Sequence, residues 1–246
     1  MEKIAQAKEI QRTYVLVHGA FHGGWCWKRV AERLRARGHT AYTPTQTGLG
    51  ERRHLLSKAI SMDVFVSDIV NVLEAEELTQ VYLVGHSFGG GTVAGVADRV
   101  PDRLKRLVFL DAGIPQGGMS AFDRLPPEVR DARIKAANET SGGLSIPVPP
   151  VGTFGLKTPE DNMWVERRMT PHPLSTYLTA PTIRNPIGNG VATTYIRCTD
   201  PCYSNVGPSA EFAKAQSGWQ YLELQTGHDA MVSAPAQLCD LLCGLA

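Results

Sequence analysis

The sequence has few cysteines and no long apolar run. No run approaches the ~18 residues that cross a membrane, and residues 1–12 lack the apolar core of a signal peptide. An odd number of cysteines at irregular spacing is a poor framework for disulfide bonds. We therefore expect a cytoplasmic protein with reduced thiols. The five cysteines are Cys26, Cys198, Cys202, Cys239 and Cys243.

The chain also lacks an excess of either charge. It has 25 Lys and Arg against 24 Asp and Glu, a formal net charge of +1, and no block of like charges, which argues against a nucleic-acid partner or a polybasic membrane patch. No zinc-type His/Cys spacing occurs, and we interpret Cys239 and Cys243 as core packing on one helix face. We expect a small-molecule partner, no metal, no cofactor, no membrane association, and a monomer or homodimer.

Short apolar runs rich in β-branched residues alternate with helical patterns along most of the chain. Such alternation predicts an α/β fold, in which a mostly parallel central sheet of about six strands is flanked by helices on both faces. Ser61 is the predicted N-cap of one helix. The predicted strands lie at residues 13–17, 40–43, 81–86, 104–110, 191–198 and 219–224.

Residues 113–190 break this rhythm. They hold most of the 16 prolines and show only weak periodicity. We interpret them as a cap inserted over the carboxyl ends of the strands. Residues 1–112 and 191–246 then form a single α/β core.

One strand-to-helix junction carries a motif with chemical meaning. Residues 85–89 (Gly-His-Ser-Phe-Gly) fit the pattern G-x-S-x-G, in which a sharp turn after a buried strand presents a serine hydroxyl. Glycines leave room for the close approach of strand and helix beside that serine. Ser87 is therefore a candidate nucleophile; the alternative is a Gly-rich turn with an incidental serine.

A base and an acid should follow the serine in chain order. His228 lies just past the last predicted strand, at the carboxyl edge of the sheet where open α/β folds bind ligands. Two aspartates end predicted strands between them, Asp111 and Asp200. Either could support His228, and either could instead be a turn-forming or capping residue.

Three segments together resemble the α/β-hydrolase superfamily. They are residues 15–20 (Val-Leu-Val-His-Gly-Ala), 85–90 (Gly-His-Ser-Phe-Gly-Gly) and 227–231 (Gly-His-Asp-Ala-Met). Within the superfamily they are most similar to the branch of plant methyl-ester esterases, hydroxynitrile lyases and their bacterial esterase relatives. Residues 47–52 and 168–173 resemble bacterial ester and carbamate hydrolases of the carbendazim-hydrolysing type, which hints at xenobiotic-like esters.

The resemblance implies an α/β-hydrolase fold and a carboxylesterase-type serine hydrolase. Ser87 would attack the ester carbonyl, His228 would accept and return the proton, and the backbone N–H groups of Ala20 and Phe88 would form an oxyanion hole. Plant relatives place the acid one residue beyond Asp200, where this chain has Pro201, whereas other relatives use the position of Asp111. We favour Asp111 and keep Asp200 as the alternative.

Other functions of the same fold are weighed by individual residues. Hydroxynitrile lyases of this branch carry a threonine after the first-loop histidine and a lysine after the catalytic histidine, where this chain has Gly19 and Asp229. Hydrolysis is favoured over a lyase and over a non-catalytic binding protein, with an ester as the expected substrate and carbamate or amide cleavage at the same site as the alternative. The substrate is expected to be a small apolar or aromatic ester, held by Phe21, Trp25, Phe122, Trp164 and Met169.

Overall fold

The computed structural model describes residues 10–116 and 118–245, so the prediction for residues 1–12 lies largely outside it. Within the described residues the chain forms eight strands. They are β1 (Thr13–Val17), β2 (Thr40–Tyr42), β3 (Val81–His86), β4 (Leu104–Leu110), β5 (Ser145–Ile146), β6 (His172–Pro173), β7 (Thr193–Cys198) and β8 (Gln220–Leu224).

Six of these strands form the central sheet, in the order β2-β1-β3-β4-β7-β8. Every neighbouring pair in this sheet is parallel, so all carboxyl ends lie at one edge. The short strands β5 and β6 pair antiparallel in a separate two-stranded sheet. The predicted α/β-hydrolase fold with six parallel strands is confirmed.

Nine α-helices lie among the described residues. They are α1 (Lys28–Ala36), α2 (Met62–Ala75), α3 (Gly89–Arg99), α4 (Pro127–Ser141), α5 (Pro159–Glu166), α6 (Leu174–Leu178), α7 (Gly207–Lys214), α8 (Ala230–Ser233) and α9 (Pro235–Gly244). Ser61 caps α2, since its side chain accepts a hydrogen bond from the Val64 N–H. No helix in this part of the chain is both long and apolar enough to cross a lipid bilayer.

Two apolar cores cover the two faces of the central sheet. Successive side chains of a strand point to opposite faces; Tyr14 and Leu16 of β1 therefore pack with α1, α8 and α9. Val15 and Val17 pack on the other face with α2, α3 and α7. Because both faces are covered, the central strands β1 and β3 are nearly continuous apolar runs.

Between β4 and β7 the chain leaves the sheet for about eighty residues. This stretch contains α4, α5, α6 and the β5–β6 pair. Its apolar side chains include Phe122, Ile146 and Phe154, which form a third core together with Ala20 and Phe21 from the loop after β1. The stretch therefore packs over the carboxyl edge of the sheet.

Candidate active site

Ser87 occupies a sharp turn between β3 and α3. Its backbone is left-handed, with a φ of +53°, a conformation that costs energy for a residue with a side chain and is found at functional sites. A Cβ on Gly85 would lie 2.5 Å from Val93 Cγ2, and one on Gly89 would lie 2.6 Å from the His18 carbonyl oxygen. Only glycine fits both positions, which explains the motif physically.

His228 joins Ser87 to Asp111 in one chain of hydrogen bonds. Its Nδ1 lies 2.6 Å from Asp111 Oδ2 and its Nε2 lies 2.8 Å from Ser87 Oγ. Because a carboxylate only accepts, Nδ1–H donates to Asp111, which leaves Nε2 free to accept from the Ser87 hydroxyl. The ring of Tyr203 covers the imidazole at a centroid distance of 4.0 Å. The serine is therefore hydrogen-bonded to an oriented, buried imidazole.

Asp111 is fully buried at the end of β4. Besides His228, its carboxylate accepts a hydrogen bond of 2.7 Å from Arg197 Nη1 and one of 3.1 Å from the Cys198 backbone N–H. Three donors thus converge on its two oxygens, and they hold the carboxylate where it faces the imidazole. Arg197 was not identified from the sequence, although a charged residue inside a buried strand signals a buried partner.

Asp200, the alternative acid, lies elsewhere. Its side chain is 48% exposed and forms an ion pair of 2.7 Å with Lys157 Nζ. Its backbone N–H donates to the carbonyl oxygen of Thr226. Within the described residues, the structure therefore brings Asp111 to His228 and gives Asp200 a partner at the surface.

The backbone N–H groups of Ala20 and Phe88 donate to no acceptor within the described residues. Ala20 lies in the loop after β1 and borders the larger cavity beside Ser87, and Phe88 borders a smaller cavity that Ser87 also lines. The next N–H of the loop, that of Phe21, is already taken by His172 Nδ1 at 3.3 Å. The loop thus offers the Ala20 donor to a ligand and not the Phe21 donor.

Buried histidines hold this loop in place. His18 donates from Nδ1 to the Gly19 carbonyl at 2.8 Å and accepts the Gln46 N–H on Nε2 at 3.0 Å. That arrangement requires the neutral ring, and burial lowers the pKa of His18 to about 3. Burial likewise places the pKa of His86 and of His172 well below the usual value. These rings act as neutral hydrogen-bonding groups around the candidate site.

His22 and Asp229 form an ion pair that the sequence did not indicate. His22 Nε2 lies 3.0 Å from Asp229 Oδ2, and the two side chains are 1% and 0% exposed. Asp229 directly follows the base His228 in the chain, and its side chain is fully buried. The available signal was weak: both residues sit in Gly-rich loops that end strands of the same sheet edge.

A cavity of about 560 Å³ opens beside Ser87. Most of its wall comes from the stretch between β4 and β7, with Val129, Ile146, Phe154 and Tyr177 among the lining residues. Of the five residues predicted to line a substrate pocket, Phe21 lines this cavity. Among the described residues, no group of three or more His, Cys, Asp and Glu side chains is arranged to hold a metal ion.

The other four predicted pocket residues lie outside the cavity lining. Trp25 stacks on His22 at a centroid distance of 5.2 Å and contacts Trp164 edge-on. Trp164 in turn lies under the guanidinium group of Arg29. Phe122 is buried against Tyr177, and Met169 packs against the first and third apolar cores. All four side chains pack against other side chains of the protein, and their contact with a substrate stays a prediction.

Residues 14–241 match the model of the Alpha/beta hydrolase family. Because this match spans nearly the whole chain, the protein belongs to that family, as the resemblance of its three motifs indicated. The fold, the turn at Ser87 and the histidine after β8 are the features that the family shares.

Two relatives match over nearly their full length. The chain is 38% identical to a carbendazim hydrolyzing esterase of Nocardioides sp. (strain SG-4G), with 94% of this chain and 98% of the relative covered. It is 26% identical to esterase PIR7B of Oryza sativa subsp. japonica, with 96% of each chain covered. The protein is therefore an esterase-type alpha/beta hydrolase, and the predicted branch of the superfamily is confirmed.

Solved structures show the same fold. An extracellular alpha/beta-hydrolase from a Paenibacillus species superposes with a TM-score of 0.80 at 24% identity, covering 94% of this chain and 97% of the other. That hydrolase is described as sharing structural and functional homology with tobacco salicylic acid binding protein 2. At this level of identity the likeness concerns the fold.

Proposed function

We propose that this chain hydrolyses small carboxylic esters through a Ser87–His228–Asp111 triad and an acyl-enzyme intermediate. The observation that carries the proposal is the continuous chain of hydrogen bonds from the Ser87 hydroxyl through both nitrogens of His228 to Asp111. This arrangement makes a weak nucleophile reactive, since the base is within hydrogen-bond reach and is itself oriented by a third group.

The reaction follows from this geometry. Ser87 Oγ attacks the ester carbonyl carbon while its proton passes to His228 Nε2, and Asp111 stabilises the imidazolium that forms. The Ala20 and Phe88 N–H groups bind the carbonyl oxygen as it becomes negative, a contribution of about 3 kcal/mol per donor. His228 returns the proton to the departing alcohol. Water, deprotonated by the same imidazole, then releases the carboxylic acid and Ser87.

Two cavities of unequal size flank Ser87. The larger has a volume of about 560 Å³ and a mainly apolar wall, and the smaller has about 90 Å³. This asymmetry favours an ester with one sizeable apolar or aromatic part and one small part. We infer that residues 113–190 are a cap that supplies most of the larger wall. The relative named for carbendazim hydrolysis makes carbamate esters a second substrate class to test.

The glycine at position 19 argues against a hydroxynitrile lyase activity on the same scaffold. A Cβ at this position would lie 2.8 Å from Ser87 Cβ, so the backbone here leaves no room for the threonine that lyases of the branch carry. Asp229 occupies the position of their lysine and is engaged by His22. A non-catalytic binding protein would have no need of a serine hydrogen-bonded to an oriented base.

The test is an activity screen over p-nitrophenyl, methyl, aryl and carbamate esters with the wild type and Ser87→Ala. We expect Ser87→Ala to lose several orders of magnitude in kcat while it stays folded. Ser67→Ala is the matched control, because this serine lies on α2 and donates to the Asp63 carbonyl. A fluorophosphonate probe should label Ser87 alone. Substantial ester turnover by Ser87→Ala contradicts the proposal.

A further inference from the structure

His22 is hydrogen-bonded through both of its ring nitrogens. Nδ1 lies 2.7 Å from the carbonyl oxygen of Ala20, and Nε2 lies 3.0 Å from Asp229 Oδ2. Both contacts are made to oxygens that act as acceptors, and a neutral imidazole has only one N–H to donate. With Asp229 ionised, the geometry fits the imidazolium form of His22, a buried cation within the wall of the larger cavity.

The carboxylate of Asp229 stabilises the buried His22 cation. Burial disfavours the charged form of His22, but the adjacent Asp229 outweighs this effect and raises the pKa of His22. Burial acts against charge on Asp229 as well, and the His22 cation outweighs it and lowers the pKa of Asp229. The two groups thus form a mutually dependent ion pair.

Other groups complete the surroundings of the pair. His86 Nε2 lies 3.8 Å from Asp229 Oδ1 and donates to the His228 carbonyl oxygen at 3.0 Å. The Trp25 ring stacks on His22, and the Phe154 ring meets it edge-on, each at 5.2 Å. Two aromatic rings therefore pack against the imidazolium and restrict its orientation.

The pair connects two loops that carry different parts of the proposed machinery. His22 holds the carbonyl of Ala20, whose own N–H is the proposed oxyanion donor, while Asp229 directly follows His228 in the chain. The two loops are 207 residues apart in sequence and belong to strands at different places in the sheet. The position of the Ala20 N–H relative to the His228 ring therefore depends on contacts between the two loops and not on proximity in the sequence.

A buried ion pair contributes little net stability, because desolvation offsets the attraction between the charges. Its value lies in fixing geometry, and an error of about 1 Å in a reacting group can cost ~10²-fold in rate. We propose that His22 and Asp229 are positioning residues that hold the Ala20 N–H and the His228 ring in one fixed relation. This inference rests on the proposed function, and it names the contact that aligns the proposed oxyanion donor with the proposed base.

The kinetic test uses Asp229→Asn, His22→Gln and the double variant on an ester that the wild type hydrolyses. We expect each single variant to lose about 10- to 100-fold in kcat with KM within about threefold. The double variant should lose little more than the worse single variant, since both remove the same link. A boronic acid that mimics the tetrahedral intermediate should lose affinity in parallel with kcat.

Tyr14→Phe is the matched control. Tyr14 lies near the start of β1, and the substitution removes the buried hydrogen bond of 3.2 Å from its hydroxyl to the Leu242 carbonyl oxygen. It should therefore lower stability and leave kcat unchanged. If the His22 and Asp229 variants lose stability but keep kcat as Tyr14→Phe does, the pair is merely structural and the inference is wrong. A loss confined to KM also overturns it.

Nitrogen NMR of His22 in the wild type tests the same inference without any variant. Both ring nitrogens should be protonated at pH 7.5, and one should lose its proton in Asp229→Asn. A neutral His22 in the wild type overturns the inference even if every variant fails to fold. Ester hydrolysis and fluorophosphonate labelling of Ser87 remain intact in that case, so the failure is distinguishable from failure of the proposed function.

Discussion

The turns after β4 and β7 are neighbours at one edge of the sheet, and each carries an aspartate. Asp111, after β4, is fully buried and receives hydrogen bonds from His228, Arg197 and a backbone N–H. Asp200, after β7, is half-exposed and paired with Lys157. Two positions that look equivalent in sequence therefore differ in burial and in the number of donors. These physical properties separate a candidate catalytic acid from a turn residue.

Backbone conformation sharpens the same contrast. Asp111 has a φ of +40°, and non-glycine residues in the left-handed region carry a conformational cost that surrounding contacts must offset. The three donors on its carboxylate are such contacts. The turn after β4 is thus strained and supported, a combination that is typical of a functional position.

The largest expected effect is that of Asp111→Asn. An amide in this place reverses one hydrogen bond and favours the tautomer of His228 that cannot accept from Ser87. In a comparable triad this change lowers kcat by ~10⁴. Steady-state kinetics on purified protein, with circular dichroism to verify the fold, measures it. A loss below tenfold would remove Asp111 from the proposed triad.

Arg197→Gln tests whether the support of Asp111 matters to the reaction. It removes a 2.7 Å charge-assisted hydrogen bond to Asp111, and bonds to charged groups contribute about 1.5–3 kcal/mol. We expect kcat to fall about 10- to 100-fold, less than in Asp111→Asn. Arg184→Gln, an exposed arginine between α6 and β7, serves as control and should leave kcat unchanged. Equal rates in both variants would show that Arg197 has no part in orienting the acid.

Burial also predicts a dependence of stability on pH. The pKa of His18 falls to about 3 in the folded protein, against about 6.5 in an unfolded chain. Its contribution to folding is therefore fully present above pH 6.5 and is lost as pH falls toward 3. At pH 5 the loss is about 2 kcal/mol. Urea unfolding at pH 7.5, 6 and 5 measures the total loss, to which His86 and His172 add because burial lowers their pKa in the same direction, with the exposed His54→Gln as control. Constant stability over this range would contradict the neutral, buried His18.

The smallest expected effect is that of Asp200→Asn. It removes an exposed ion pair with Lys157, and such pairs contribute about 0–1 kcal/mol. We expect kcat within about threefold of the wild type and a small change in melting temperature. Lys157→Met should match it closely. If Asp200→Asn were instead the variant that loses activity, the assignment of the two aspartates would be reversed.

Much of the sheet could be predicted from the sequence. Each of the six strands lies within about two residues of its predicted position, because buried parallel strands are continuous apolar runs ended by glycine, proline or a polar loop. Ser87 and His228 carry local signals of the same kind: one lies within a glycine-framed turn and the other follows the last strand.

The contacts across the site could not be predicted in this way. Arg197, His22 and Asp229 acquire their roles from partners that are 86 or more residues away, and no local pattern encodes such pairing. The pocket shows the same difficulty. Their aromatic chemistry predicts Trp25 and Trp164 as pocket residues, whereas in the structure the two rings pack against each other. Side-chain type indicates what a residue can contact and not what it does contact.

The close approach of Gly155 and Gly227 has a consequence for access to the site. A Cβ on Gly227 would lie 2.2 Å from the Gly155 carbonyl oxygen, so the stretch over the sheet edge touches the loop of His228 backbone to backbone. We therefore expect that movement of the stretch at this contact would also move the loop of His228, and with it the imidazole, relative to Ser87. An ester is then expected to reach Ser87 past other residues that line the cavity, with the contact between Gly155 and Gly227 kept.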